Sequence, residues 1–111
     1  GVEGTYNRIG FAYEATSIEE EIIKELGIFG VKGTEEELKS QFDEGKIDAY
    51  ITKKENTYII NGDDSENTTV ASRLIETYFN TYKEYLQSTY LENNGVNSEE
   101  ILNIIILDSL I

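Results

Sequence analysis

The chain is 111 residues long, of which 39% are hydrophobic and 28% charged, a balance that fits one folded domain and excludes the composition of a disordered chain. Nine Lys and Arg against 22 Asp and Glu leave a formal charge of −13, which repels nucleic acid and anionic membrane surfaces alike, so a partner surface should be neutral or basic. There is no Cys and no His, which removes disulfides, thiolate chemistry, the common zinc sites and the usual general base at neutral pH; no catalytic residue, cofactor-binding residue or metal ligand is assigned.

In chain order, Ile9, Phe11 and Tyr13 alternate with Gly10 and Ala12 from Arg8 to Glu14, a period of two that predicts a strand. Ser17 with Glu20 reads as a capping box. Ile18, Ile22, Ile23 and Leu26 then share one helical face, and Gly27 supplies the stop. Residues 27–33 are punctuated by glycine and read as a brief strand or an anchored connection. Thr34 with Glu37 repeats the capping box, Leu38 and Phe42 lie four apart on the helix that follows, and Gly45 ends it.

Ile47, Ala49 and Ile51 alternate with Asp48, Tyr50 and Thr52, and after the polar tract Lys53 to Asn56 the run Thr57 to Ile60 completes a β-hairpin. Residues 61–65 are turn chemistry. The longest helical pattern follows, from about Thr69 to Glu92, with Ala71, Ile75, Tyr78, Tyr82, Tyr85 and Thr89 in one stripe that Leu74, Phe79 and Leu86 widen. Asn93, Asn94 and Gly95 can end it, and Ile104 to Leu107 suits a strand buried on both faces. The expectation is therefore an α/β domain with some α+β character: a mixed sheet with helices packed on it, in the order β-α-(β)-α-β-β-α-β.

A helix over residues 35–44, its glycine stop at Gly45 and a strand opening with Ile47-Asp48-Ala49 together resemble the extracytoplasmic domain of type-2 ABC exporter permeases, the group that includes sodium and drug exporters. Leu38, Gly45, Lys46, Asp48 and Ala49 carry the match, and they also fit one lobe of solute-binding proteins. The strand at Arg8 to Glu14, the long helix and the segment Leu91 to Glu100 extend the likeness to the exporter permeases as an order of elements. The resemblance implies a non-catalytic gating, docking or assembly module on the extracytoplasmic face of the cell membrane. It implies as partners the transmembrane helices of the parent chain, a sister permease domain, and an ATP-binding subunit that works in the cytoplasm without touching this domain. The alternative is a small-ligand-binding domain similar to a solute-binding lobe.

A chain that starts at Gly1 and holds no Met is expected to be a piece, 1–111, of a longer membrane protein. The scarcity of Lys and Arg agrees with an external location, since short cytoplasmic loops are rich in both. The long helix outruns any average strand, so Tyr85 and Tyr90 are expected to meet a surface outside the domain. Asp63, Asp64 and Glu66 read as a solvated turn, Glu19, Glu20, Glu21 and Glu25 as capping and solubility residues, and Lys46 with Asp48 as part of a structural turn. Asn67-Thr68-Thr69 matches the glycosylation sequon.

Overall fold

The computed structural model describes residues 6–94 and 106–109. The elements are β1 (Arg8–Phe11), α1 (Ser17–Glu25), β2 (Phe29–Lys32), α2 (Glu35–Asp43), β3 (Ala49–Lys54), β4 (Thr57–Asn61), α3 (Glu66–Asn94) and β5 (Ile106–Ser109). They form an α/β fold around one mixed five-stranded sheet in the order β2-β1-β3-β4-β5. Strands β1, β2 and β3 are parallel, β4 runs against β3, and β5 is parallel to β4.

Because β2 and β3 lie on opposite sides of β1, connections of a single hand must put α1 and α2 on opposite faces. On one face Ile22 of α1 and Ala71, Ile75, Tyr78 and Phe79 of α3 pack on Ile9, Phe11, Ala49, Ile51, Tyr58 and Ile60. On the other, Leu38 of α2 packs on Ile47 and Tyr50. Ala49, Tyr50 and Ile51 are all buried because β3 is covered on both sides there, and this places Tyr50 in a second small core instead of at the surface. Gly10 makes the close approach of α2 possible: a Cβ there would lie 2.8 Å from Leu38 Cδ2 and 2.9 Å from Tyr50 Cβ.

The two short helices have one design repeated 18 residues on: Thr16 and Thr34 as N-caps, Glu19 and Glu37 completing the boxes, and Gly27 and Gly45 at positive φ (69° and 77°) after the last turn. Each end has both bonds of a Schellman motif: Gly27 N–H to Lys24 C=O and Ile28 N–H to Ile23 C=O, then Gly45 N–H to Phe42 C=O and Lys46 N–H to Gln41 C=O. The first box sits one residue earlier than the expected Ser17 and Glu20. Both spacings satisfy the local rule, and the packing of Glu19 selects between them.

Several other boundaries move: β3 begins at Ala49 and not at Ile47 and continues through Lys54, and β4 continues through Asn61. Strand β1 stops at Phe11, though Ala12 N–H still reaches Ile51 C=O at 2.9 Å, and Tyr13 turns inward to pack on the main core. Helix α3 begins three residues before Thr69, at Glu66, because Ser65 Oγ accepts the Thr68 N–H. The last strand begins at Ile106 and pairs only with β4, so it is an edge strand; Ile104 and Ile105 lie outside the described residues.

Strand β1 starts at the end of the sheet toward which β5 runs. Those two strands are three strand spacings apart in the sheet order, about 14 Å. The opposite end carries the tight β3–β4 turn at Glu55 and Asn56, with Glu55 at φ 57°.

Candidate functional site

Among the described residues the fold buries two acidic side chains, Glu19 and Asp48, each at the centre of a polar cluster. The first is centred on Glu19, which is 1% exposed although it lies in a run of three glutamates. The hydroxyls of Tyr13 and Tyr78 each donate to Glu19 Oε2 at 2.6 Å, and Thr16 N–H donates to Oε1 at 3.0 Å. The carboxylate is thus satisfied by neutral donors alone, with no cation among its described partners. Burial raises the phenol pKa of both Tyr13 and Tyr78, with the neighbouring Glu19 adding to the effect. Tyr58, in edge contact with Tyr13 at 5.2 Å between ring centroids, is raised by burial too.

The second is centred on Asp48, whose side chain has no exposed surface. Arg8 grips it as a fork, Nη2 to Oδ1 at 2.9 Å and Nε to Oδ2 at 3.3 Å, while Arg8 N–H adds a bond to Oδ2 at 3.1 Å. Asn67 Nδ2 donates to Oδ1 at 3.4 Å, and Thr68 Oγ1 lies 3.0 Å from Asp48 C=O. These contacts pin the start of β1, the entry to β3 and the first turn of α3 to one another. The same bond to Asp48 raises the Arg8 pKa. Asn67, the acceptor residue of the sequon, has its amide turned toward this cluster.

Lys46 is not part of it, since its ammonium pairs with Glu44 at 3.2 Å. Asp48 belongs to a half-buried ion pair, its own side chain enclosed and that of Arg8 partly exposed, which gives the Ile47-Asp48-Ala49 motif a structural explanation. The Asp63 carboxylate caps the turn into α3: hydrogen bonds from Ser65 hold its pKa below the ordinary value, and Thr68 Oγ1 is 3.0 Å away. Among the described residues no three metal-ligating side chains cluster.

The aromatic stripe of α3 divides. Tyr78, Phe79 and Tyr82 are buried in the main core, whereas Tyr85 is 42% exposed and its hydroxyl reaches Glu25 Oε2 at 3.3 Å. The side chain of Tyr90 lies outside the described residues. A cleft of about 340 Å³ beside Tyr85 is lined by Glu25, Thr81, Glu84 and Ser88. Another, of about 600 Å³, is lined by Thr34, Glu35, Glu36 and Lys39 at the start of α2. Among the described residues no helix is long and apolar enough to cross a membrane.

Compared with protein-family models, curated proteins and solved structures, the chain matches none.

Proposed function

We propose that this domain is the extracytoplasmic module of a type-2 ABC exporter permease, working by contact and shape instead of by catalysis. The observation that carries the reading is the direction of the outer elements: β1 starts, and β5 heads, at one end of the sheet. Two membrane-spanning helices flanking such a domain require that arrangement, and a spacing of about 14 Å accommodates the ~10 Å diameter of each helix. The buried Glu19 and Asp48 clusters support a non-catalytic role, since each is fully engaged in holding elements together. In this reading ATP hydrolysis belongs to a separate cytoplasmic subunit.

The test is the behaviour of the full-length gene product. It should stay with the membrane fraction through alkaline carbonate extraction; release as a soluble protein would remove the assignment.

The alternative, a ligand-binding domain similar to a solute-binding lobe, draws on the β2-β1-β3 order with α1 and α2 on opposite faces. Open sheets of this kind bind ligands beyond the carboxyl ends of the strands where the winding reverses, here the ends of β1 and β3. That region is occupied by Tyr13, Tyr58 and the Glu19 cluster, packed together. The permease reading therefore accounts for more of the molecule.

A further inference from the structure

Tyr85 and Phe29 are the exposed large apolar side chains among the described residues. Phe29 stands at the edge of the sheet on a strand of only four residues. Tyr85 stands on α3 beyond the buried Tyr78 and Tyr82, and its surroundings are specific. Glu25 of α1 accepts from the Tyr85 hydroxyl at 3.3 Å, and Glu84 and Glu25 both line the open 340 Å³ cleft beside the ring. Thr81 and Ser88 also line it, and among the described residues the lining includes no basic side chain. The negative field of Glu25 and, behind it, Glu21 raises the phenol pKa of Tyr85, which is the response of a group in a locally anionic environment.

An exposed aromatic ring beside two carboxylates matches one chemistry closely. A guanidinium stacks on the ring face and gives its N–H groups to flanking carboxylates, using both halves of its character. An ammonium uses only the charge. We propose that the Tyr85 cleft docks an arginine side chain of a basic peptide segment on a partner protein, with Glu25 and Glu84 receiving the guanidinium and the ring of Tyr85 stacking on it. The formal charge of −13 draws basic partners toward the whole molecule, and the ring decides where they dock. The inference concerns this domain alone and does not depend on the membrane assignment.

The experiment is an amide NMR titration of the 111-residue chain with the capped peptide Gly-Ser-Arg-Gly-Arg-Gly-Ser, beside versions carrying Lys or neutral citrulline in place of Arg. The expected result is a set of shifts centred on Glu25, Thr81, Tyr85 and Ser88, with affinity falling at least about threefold from Arg to Lys and vanishing with citrulline. Tyr85→Leu keeps the bulk of the side chain and Glu25→Gln keeps its size; each should weaken Arg-peptide binding by about three- to tenfold. Glu55→Gln at the hairpin tip should leave it unchanged. Equal shifts at the acidic start of α2, wild-type affinity in Tyr85→Leu, or no saturable binding of the Arg peptide would each overturn the proposal.

Discussion

Tyr78 on α3 donates its hydroxyl to Glu19 on α1 at 2.6 Å, joining two helices 59 residues apart in sequence through a carboxylate that water does not reach. Tyr13 delivers a second 2.6 Å bond to the same oxygen. A buried acceptor with three donors gains about 1–3 kcal/mol over one left without them, and the donors suffer equally when the acceptor goes. The Glu19→Gln variant, which leaves one acceptor oxygen where there were two and exchanges charge-assisted bonds from the phenols for neutral ones, should lose about 1–3 kcal/mol in urea unfolding. Glu37→Gln is the internal control: the same capping box with its Glu exposed should cost no more than about 1 kcal/mol. Equal losses in the two variants would show that the tyrosine contacts add nothing to the cap.

Alkaline pH should unfold the protein. The phenols of Tyr13 and Tyr78 are raised in the fold above their ordinary value of 10.0 because burial disfavours the phenolate. In the unfolded chain both ionise near that value, so above it the unfolded state has lost protons that the folded state keeps. Stability contributed by the raised pKa is fully present below pH 10.0 and declines above it. The two tyrosines together give a slope of up to about 2.7 kcal/mol per pH unit. Circular dichroism across pH 9 to 12, with phenolate absorbance at 295 nm recorded in parallel, should show loss of structure coinciding with ionisation of these two rings. Their ionisation ahead of unfolding would contradict it.

Asp48→Ala should cost about 2–4 kcal/mol, because it leaves the Arg8 fork and the Arg8 N–H without their acceptor in a largely closed site. Arg8 is 40% exposed on its side chain and can turn to water, which keeps the loss below that of a fully enclosed pair. A fall in Tm of about 10–20 °C follows from that range. Arg8→Lys cannot form the fork, so in the otherwise unchanged chain it should lose about half as much stability as Asp48→Ala does.

Gly10→Ala should destabilise by about 1–3 kcal/mol. The added Cβ meets Tyr50 Cβ at 2.9 Å, an atom fixed by the strand, so the neighbour cannot simply rotate away. Thermal unfolding of the variant measures it, and a loss under about 0.5 kcal/mol would mean that α2 floats above the sheet more freely than its packing indicates.

Local rules carried far in this chain. Thr34, Glu37 and Gly45 are enough to place α2, and the period-two runs place β1, β3 and β4, because capping and alternation are decided within a few residues. The turn Asp63 to Ser65 also read correctly as turn chemistry, but it conceals the cap on α3: a hydroxyl three residues before Thr68 N–H does not reveal by spacing alone which residue starts the helix.

The candidate site was legible only in part. Tyr85 stands apart from Tyr78 and Tyr82 because a helix longer than the sheet must run past it, a deduction from length. Glu19 could not be told from Glu20 and Glu21 in the same run, since its burial depends on Tyr78, which reaches it only in three dimensions. Arg8 and Asp48 are 40 residues apart, and nothing local joins them; the pairing follows from β1 and β3 lying side by side.

The most direct test of the membrane assignment uses the absence of cysteine in this chain. A single Glu55→Cys substitution at the hairpin tip of the full-length gene product places a thiol at the end of the sheet opposite the start of β1 and the end of β5. With a membrane-impermeant maleimide, intact cells should label it as fully as lysed cells do. Labelling only after lysis, with an externally placed control cysteine reacting normally, would put the domain on the other side of the membrane and contradict the account.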